Sequence, residues 1–385
     1  MTGAAHRTKI LYLLPTLAAG GTERQAMELV RHLDRTKFEP IVVVIYDPAT
    51  VPIEIPPGDD AVLSLRKPLG KLGNLVALVR LVRIIRDTRP DILQSYLRTA
   101  DLYLRLAGVL AGHRRIITSL RTRIAGFWSP PWQWAERVLW RASRLIVSNS
   151  TAAAEEAETL LGIPRTRLRV IENGVDVNRF RPAPNVAAAR GALGLNPATR
   201  LVGMVARYSP VKDHRTLLQA LHTLRAQAQW PAEAKVLLVG GTTFPEARAE
   251  VEHALAELDL ATVVEVRGVT PAIESVYHAL DVLVLPSRYE GFPNTVLEAM
   301  ACGVPAIVST AANAAGVVTD GETGWVFPTG DVQTLARALE HALQLPAEER
   351  RRLAHLLRAR VEEHYSLQRM VGRYEQLYAE LMEPA

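Results

Sequence analysis

Only one cysteine, Cys302, occurs in 385 residues, which excludes an intrachain disulfide and any zinc cluster built on cysteine. Long apolar runs are missing too: none approaches the roughly 18–20 residues of a membrane span. The opening Met-Thr-Gly-Ala-Ala-His-Arg-Thr-Lys is too short and polar for a signal peptide. These absences predict a cytoplasmic chain, soluble or resting on the inner face of the cytoplasmic membrane. The G-x-G-x-x-G spacing of dinucleotide-binding turns does not occur, which argues against a nicotinamide enzyme. Helix-turn-helix, zinc-finger and aromatic-interleaved basic patterns are likewise absent, so no nucleic-acid partner is expected.

What is present points to a two-domain α/β protein. At 385 residues the chain exceeds what one core usually holds, and 48% hydrophobic with 22% charged residues is an ordinary globular composition. Short apolar runs at 9–15, 41–46, 91–95, 115–119 and 144–148 alternate with helical patterns such as 75–86 and 101–112. The alternation restarts at 201–206 and continues through 235–239, 262–266, 281–285 and 304–309. It predicts two Rossmann-like doubly wound parallel-sheet domains, 1–180 and 200–364, facing across a cleft, with a final helix in 365–385. Residues 181–197 are rich in Ala, Pro and Gly and carry no acid, so 181–199 is the expected linker. Charge is divided unevenly. Residues 1–180 carry 26 Lys and Arg against 17 Asp and Glu, whereas residues 181–385 carry 19 against 23. The basic half calls for an anionic partner, a phosphorylated acceptor or an anionic membrane.

Residues 286–305 organise the second half. The run at 281–285, Asp-Val-Leu-Val-Leu, reads as a buried parallel strand, which places 287–293 in the loop at its carboxyl end, where ligands of open α/β sheets bind. Asn294 is expected to cap a helix over 295–301 whose free amides make an anion site in the same crevice. Glu290 on the loop and Glu298 one turn into the helix flank it, placed to accept hydrogen bonds from sugar hydroxyls. Phosphate on amides and hydroxyls on carboxylates is the chemistry of a nucleotide-sugar. A second carboxyl-end loop, 207–213, supplies Arg207 and Lys212 before a helix over 214–228 capped by Asp213, two cations suited to phosphate oxygens. In the first half, strand 9–15 runs into Gly20 and Gly21, and Thr22 to Gln25 reads as a capping box, so that backbone can approach phosphate there.

Glu290 and Glu298, with Gly291-Phe292-Pro293-Asn294-Thr295 after the first and Ala-Met-Ala-Cys-Gly-Val-Pro after the second, closely resemble the E-x7-E signature of the family 4 retaining glycosyltransferases of GT-B fold. The resemblance spans nearly the whole chain and is densest over 201–331. It implies a donor site made by Gly20, Gly21, Arg207, Lys212, Gly268, Glu290, Gly291, Phe292, Asn294, Thr295 and Glu298. Arg207 and Lys212 would grip the diphosphate, backbone around Gly268 would meet the base, Glu290 would position the sugar and Glu298 the ribose. Glu290, Arg207 and Lys212 are the implied catalytic residues. The implied reaction moves a sugar from a UDP-sugar, in preference to GDP-mannose, to a glycan or lipid-linked acceptor in cell-surface polysaccharide or lipopolysaccharide synthesis. Leaving-group charge falls on Arg207, Lys212 and the helix dipole, so neither metal nor cofactor is required. No Asp-x-Asp triplet, the mark of metal-dependent transferases of the other major fold, occurs. An epimerase or hydrolase on the same fold, and a non-catalytic nucleotide-sugar-binding subunit, are the competing readings.

The chain departs from the family in one place. Members often carry a histidine after the strand corresponding to 115–119, whereas this chain reads Ser119-Leu120-Arg121-Thr122-Arg123. Arg121 is the candidate on the acceptor side, together with Trp128 and Trp132. Four of the six tryptophans fall within 127–141 beside arginines, and indoles favour places with one apolar and one wet side. That segment reads either as a border of the acceptor site or membrane, or as tryptophan-rich packing in the core. By resemblance, the final helix returns to the first domain.

Overall fold

A computed structural model of the chain describes residues 7–17, 20–46, 62–68, 70–126, 128–242 and 245–383. Ala18 and Ala19 of the glycine loop, and Phe127, lie outside the described residues. The chain divides into two compact units, Met1–Gly174 with Leu367–Ala385, and Val175–Ser366.

The first unit is built on β1 (Thr8–Leu14), β2 (Phe38–Val44), β3 (Leu63–Ser64), β4 (Ile92–Ser95), β5 (Ile116–Leu120), β6 (Leu145–Ser148) and β7 (Leu168–Val170). They pair in the order β3-β2-β1-β4-β5-β6-β7, all parallel. Strands β4, β5 and β6 are buried at every position, which is why they read as unbroken apolar runs. The edge strands β3 and β7 have two and three residues and are too short to show a period. Strand order reverses between β1 and β4, so the crevice of this sheet opens at their carboxyl ends.

Helix Leu367–Met382 belongs to this unit and buries Leu367, Met370, Val371, Tyr374, Leu377 and Tyr378, the i, i+3, i+4 stripe of an amphipathic helix. Its tyrosines complete a buried hydrogen-bond chain. Tyr12 Oη donates to Tyr378 Oη at 2.9 Å, Tyr378 Oη to Gln94 Oε1 at 2.7 Å, and Gln94 Nε2 to Tyr96 Oη at 2.7 Å. Each polar group taken from water thus finds a partner.

The second unit contains β8 (Arg200–Val205), β9 (Ala234–Val239), β10 (Val264–Arg267), β11 (Val282–Leu285), β12 (Ala306–Ser309) and β13 (Gly324–Phe327), paired in parallel as β10-β9-β8-β11-β12-β13. Its switch point lies between β8 and β11. Two Rossmann-like sheets are therefore present, as expected.

The linker is a correction. Within 181–199, Asn185 caps a helix, Val186–Ala192, by accepting from Ala188 N–H. Arg190 on that helix is buried and donates to Asp281 Oδ2 at 2.6 Å and to the Ala279 carbonyl at 3.0 Å. Asp281 also accepts from Leu201 N–H at 2.7 Å, which fastens the segment to the start of β8 and β11. The absence of acids in 181–197 hid this, because the partner of Arg190 lies far along the chain. Among the described residues no helix is long and apolar enough to cross a membrane.

Candidate functional site

At the carboxyl end of β8 the chain is pinched against β9. A Cβ added to Gly240 would sit 1.9 Å from the Ala206 carbonyl oxygen, so only glycine permits this approach. Arg207 follows, exposed, with no hydrogen bond or ion pair among the described residues. Tyr208 turns inward, donates its N–H to Gly241 O at 2.9 Å and stacks on His214 with ring centroids 5.0 Å apart. Burial, with Lys212 nearby, pushes the His214 imidazole down to about 4, so it is neutral at pH 7.

The loop after β11 is tied to the loop after β8. Arg288 N–H donates to Val211 O at 2.8 Å and its guanidinium to Asp213 Oδ2 at 3.0 Å. Asp213 stands before helix His214–Ala226 as expected, in the left-handed region at φ 51°, but its carboxylate takes the Thr216 hydroxyl and Arg288 rather than backbone amides. This fastening brings Lys212 Nζ to 2.5 Å from Glu290 Oε1, the same oxygen that accepts from Ser287 Oγ at 2.7 Å. Ser287 is in turn held by Ser309, whose hydroxyl donates to the Ser287 carbonyl at 2.5 Å. The Lys212 and Glu290 side chains are 20% and 13% exposed, shielded enough to interact strongly yet open to a ligand.

The helix that follows is Asn294–Ala301, so Asn294 is its first residue and not its cap. Pro293, at φ −86° and ψ 78°, makes the turn one residue earlier, and the helix opens without a side-chain cap. Glu298 accepts from the buried Tyr277 hydroxyl at 2.6 Å, which orients its carboxylate. Gly291 and Thr295 are partly exposed on the same segment. Phe292 differs from expectation: its ring is 7% exposed and packs edge-on against Tyr365, centroids 6.2 Å apart, which leaves only its backbone for a ligand. Gly268, just beyond β10, is exposed, and an added Cβ would meet nothing within 4 Å. Nothing within the described residues demands glycine there.

Gly20 and Gly21 belong to the first unit. Gly20 precedes helix Gly21–His32, which has no side-chain cap from Thr22, contrary to the expected capping box. The Glu23 carboxylate instead folds back over Gly20, where an added Cβ would lie 2.2 Å from Oε2. Gln25 reaches elsewhere, donating to Gly174 O at 2.8 Å and accepting from Gly174 N–H at 3.0 Å. A phosphate at this helix end would displace Glu23.

Of the residues expected on the acceptor side, Arg121 is 7% exposed and donates to Asn173 Oδ1 at 3.0 Å and Tyr374 Oη at 2.7 Å. The tryptophan-rich segment divides. Trp128 and Trp140 are each 8% exposed, whereas Trp132 is 39% and Trp134 71% exposed, and helix Pro130–Leu139 buries none of its residues. Arg98 lies over the Trp128 and Trp132 rings at 5.1 and 5.6 Å. Sequence reasoning missed Arg98, Tyr277, Ser287 and Ser309. Ser287 starts the 287–293 loop that the sequence marks out, and Arg98, the first residue of helix Arg98–Leu110, closely follows β4, whereas Tyr277 and Ser309 stand in no pattern with their partners.

Comparison with known proteins agrees in both halves. The sequence model for glycosyltransferase family 4 matches residues 19–179, and that for glycosyl transferases group 1 matches 186–358. A D-inositol 3-phosphate glycosyltransferase of Kribbella flavida is 32% identical over 210 residues, 53% of this chain and 49% of that protein. The lipopolysaccharide core biosynthesis mannosyltransferase LpsB of Rhizobium meliloti is 31% identical over 210 residues, 53% of this chain and 56% of that one. The chain thus spans about half the length of the curated relatives it matches. Among solved structures, a glycosyltransferase from Rickettsia africae superposes with a TM-score of 0.83 at 18% identity, covering 99% of this chain and all of that one. HepE of Anabaena, solved with UDP and glucose, gives 0.81 at 22% identity over 97% of this chain and all of that one. With two family models covering most of its length between them and the fold shared end to end, the chain belongs to the family 4 glycosyltransferases of GT-B fold.

Proposed function

We propose that the protein is a retaining, metal-independent hexosyltransferase, working without a cofactor, that moves a sugar from a nucleoside-diphosphate sugar to a glycan or lipid-linked acceptor in cell-surface polysaccharide or lipopolysaccharide synthesis. The observation that carries this reading is the cluster at the β8/β11 switch point: unpartnered Arg207 beside the Lys212–Glu290 pair, next to the uncapped amino end of helix Asn294–Ala301. A UDP-sugar is favoured over GDP-mannose, in line with the UDP bound by HepE, and LpsB supports the lipopolysaccharide setting.

In the free protein Lys212 and Ser287 satisfy one Glu290 oxygen. A donor diphosphate draws Lys212 and Arg207 toward its oxygens, and Glu290 turns to the sugar hydroxyls and the oxocarbenium-like charge at the anomeric carbon. The bond from that carbon to the diphosphate breaks as the acceptor oxygen attacks the same face, and the acceptor proton passes to the leaving phosphate. Arg207, Lys212 and the helix amides hold the charge released. The test is calorimetric titration with UDP and GDP, no metal added. UDP is expected to bind more tightly than GDP, and Arg207→Ala to weaken it about tenfold or more. Absence of binding by either nucleotide would overturn the assignment.

The first unit supports a peripheral contact with anionic membrane at the cytoplasmic face. Helix Gly70–Thr88 leaves Leu72, Leu75, Val76 and Val79 exposed at i, i+3, i+4 and i+7, with exposed Arg83 and Arg86 continuing the same face. Helix Arg98–Leu110, packed beside it, adds exposed Leu106, Val109 and Leu110. An apolar stripe with arginines is suited to lie in a lipid headgroup layer.

A further inference from the structure

Lys212 is the last residue of a single 3-10 turn, Pro210–Lys212, closed by its own N–H donating to the Ser209 carbonyl at 3.0 Å. A turn this short does not hold its shape unaided. Arg288, which precedes Glu290 on the loop after β11, holds both chain neighbours of Lys212. Its N–H donates to the Val211 carbonyl at 2.8 Å, and its guanidinium brackets the Asp213 carboxylate, with Nε 3.0 Å from Oδ2 and Nη2 3.4 Å from Oδ1. The Asp213 side chain is 3% exposed and that of Arg288 66%. Lys212 is thus fixed on both sides by the residue that leads into Glu290.

The backbone at this point needs such a hold. Asp213 has φ 51° and ψ 48°, the left-handed region that a residue with a Cβ enters only where local bonds keep it there. Two bonds to its carboxylate do so, one from the Thr216 hydroxyl at 2.8 Å and one from Arg288, the charge-assisted and stronger of the two. Without Arg288, Asp213 keeps only Thr216, and a buried carboxylate loses its counter-charge. His214 offers none, because burial pushes its imidazole down to about 4. The ammonium of the adjacent Lys212 is then the cation that Asp213 draws, away from Glu290 and from a donor phosphate.

We infer that Arg288 is a positioning residue of the donor site: by clamping Val211 and Asp213 it sets the Lys212 ammonium beside Glu290, where a donor diphosphate takes it up. The inference rests on the donor-site reading and adds to it a residue that works through Lys212 rather than on the donor. The test measures UDP binding by calorimetry in a cycle of Arg288→Ala, Lys212→Ala and the double variant, with thermal unfolding of each. Arg288→Ala is expected to weaken UDP about fivefold and Lys212→Ala about tenfold, and the double variant to bind no worse than Lys212→Ala alone. Arg288→Met, which keeps the aliphatic stem, is expected to lose as much as Arg288→Ala, and it replaces the alanine variant if that one unfolds early. Additive losses in the double variant, or full UDP affinity in Arg288→Ala and Arg288→Met, would overturn the inference. A second measurement needs no nucleotide: the rate at which formaldehyde and borohydride methylate Lys212, read by peptide mass. Lys212 is paired and 20% exposed, and its methylation is expected to be several-fold faster in Arg288→Ala than in the wild type. Equal rates would overturn the clamp. Faster methylation in Arg288→Ala, in a protein that takes no UDP, would sink the donor reading and leave the clamp standing. UDP binding weakened by Lys212→Ala and untouched by Arg288→Ala would do the reverse.

Discussion

Glu290 and Lys212 share one hydrogen-bonded unit in the absence of a donor, although the sequence suggests separate tasks for them. Neutralising Glu290 by Glu290→Gln keeps its size and its bond from Ser287 but removes the charge proposed to face the anomeric carbon. Steady-state kinetics are expected to show kcat lower by roughly 10²–10³ with donor KM nearly unchanged. A donor KM that rises in proportion would show that Glu290 only binds the ground state. The acidic and cationic residues themselves were legible because each sits at a strand's carboxyl end with recognisable neighbours. Their supports were not. Tyr277 reaches Glu298 from the helix before β11, and Ser309 reaches Ser287 from β12, contacts made only when the parallel sheet assembles. Asn294 failed as a cap because Pro293 moved the helix start by one residue, a backbone effect that side-chain preference does not encode.

Elements were legible where periodicity had room to act. The core strands stood out as apolar runs, whereas β3 and β7 are shorter than a period, and the short helix in 181–199 was hidden by its Ala, Pro and Gly content. Helix Gly70–Thr88 shows a different limit. It buries Ala77, Leu81 and Ile85 on one face and exposes Leu72, Leu75, Val76 and Val79 on the other, so hydrophobicity alone does not say which face meets the sheet. Leu75 and Val79 are each 59% exposed, and replacing both by glutamate leaves the buried face intact. In a flotation assay with phosphatidylglycerol vesicles, the wild type is expected to float and Leu75→Glu with Val79→Glu to stay behind, with unchanged thermal unfolding. Equal flotation of the two would remove this helix as the lipid contact.

At the scale of the whole molecule, the two units differ in how their cores are assembled. The second unit is one continuous segment, Val175–Ser366, whose sheet, covering helices and candidate donor residues other than Gly20 and Gly21 come from within it. The first is discontinuous: its core includes six side chains from helix Leu367–Met382, and the hydrogen-bond chain from Tyr12 to Gln94 and Tyr96 passes through Tyr378. A fully buried apolar side chain contributes about 1.5–3 kcal/mol, so losing six removes as much as the roughly 5–15 kcal/mol by which a domain is stable. Removal would also leave Tyr12 and Gln94 without their Tyr378 partner and Arg121 without the Tyr374 hydroxyl. Residues 175–366 expressed alone are therefore expected to unfold cooperatively in calorimetry and to bind UDP. Residues 1–174 alone are expected to give no cooperative transition. Adding residues 367–385 to that fragment through a flexible linker is expected to restore one. A cooperative transition in 1–174 without the helix would mean that the first sheet and its own helices suffice, and that the last helix covers a core already formed.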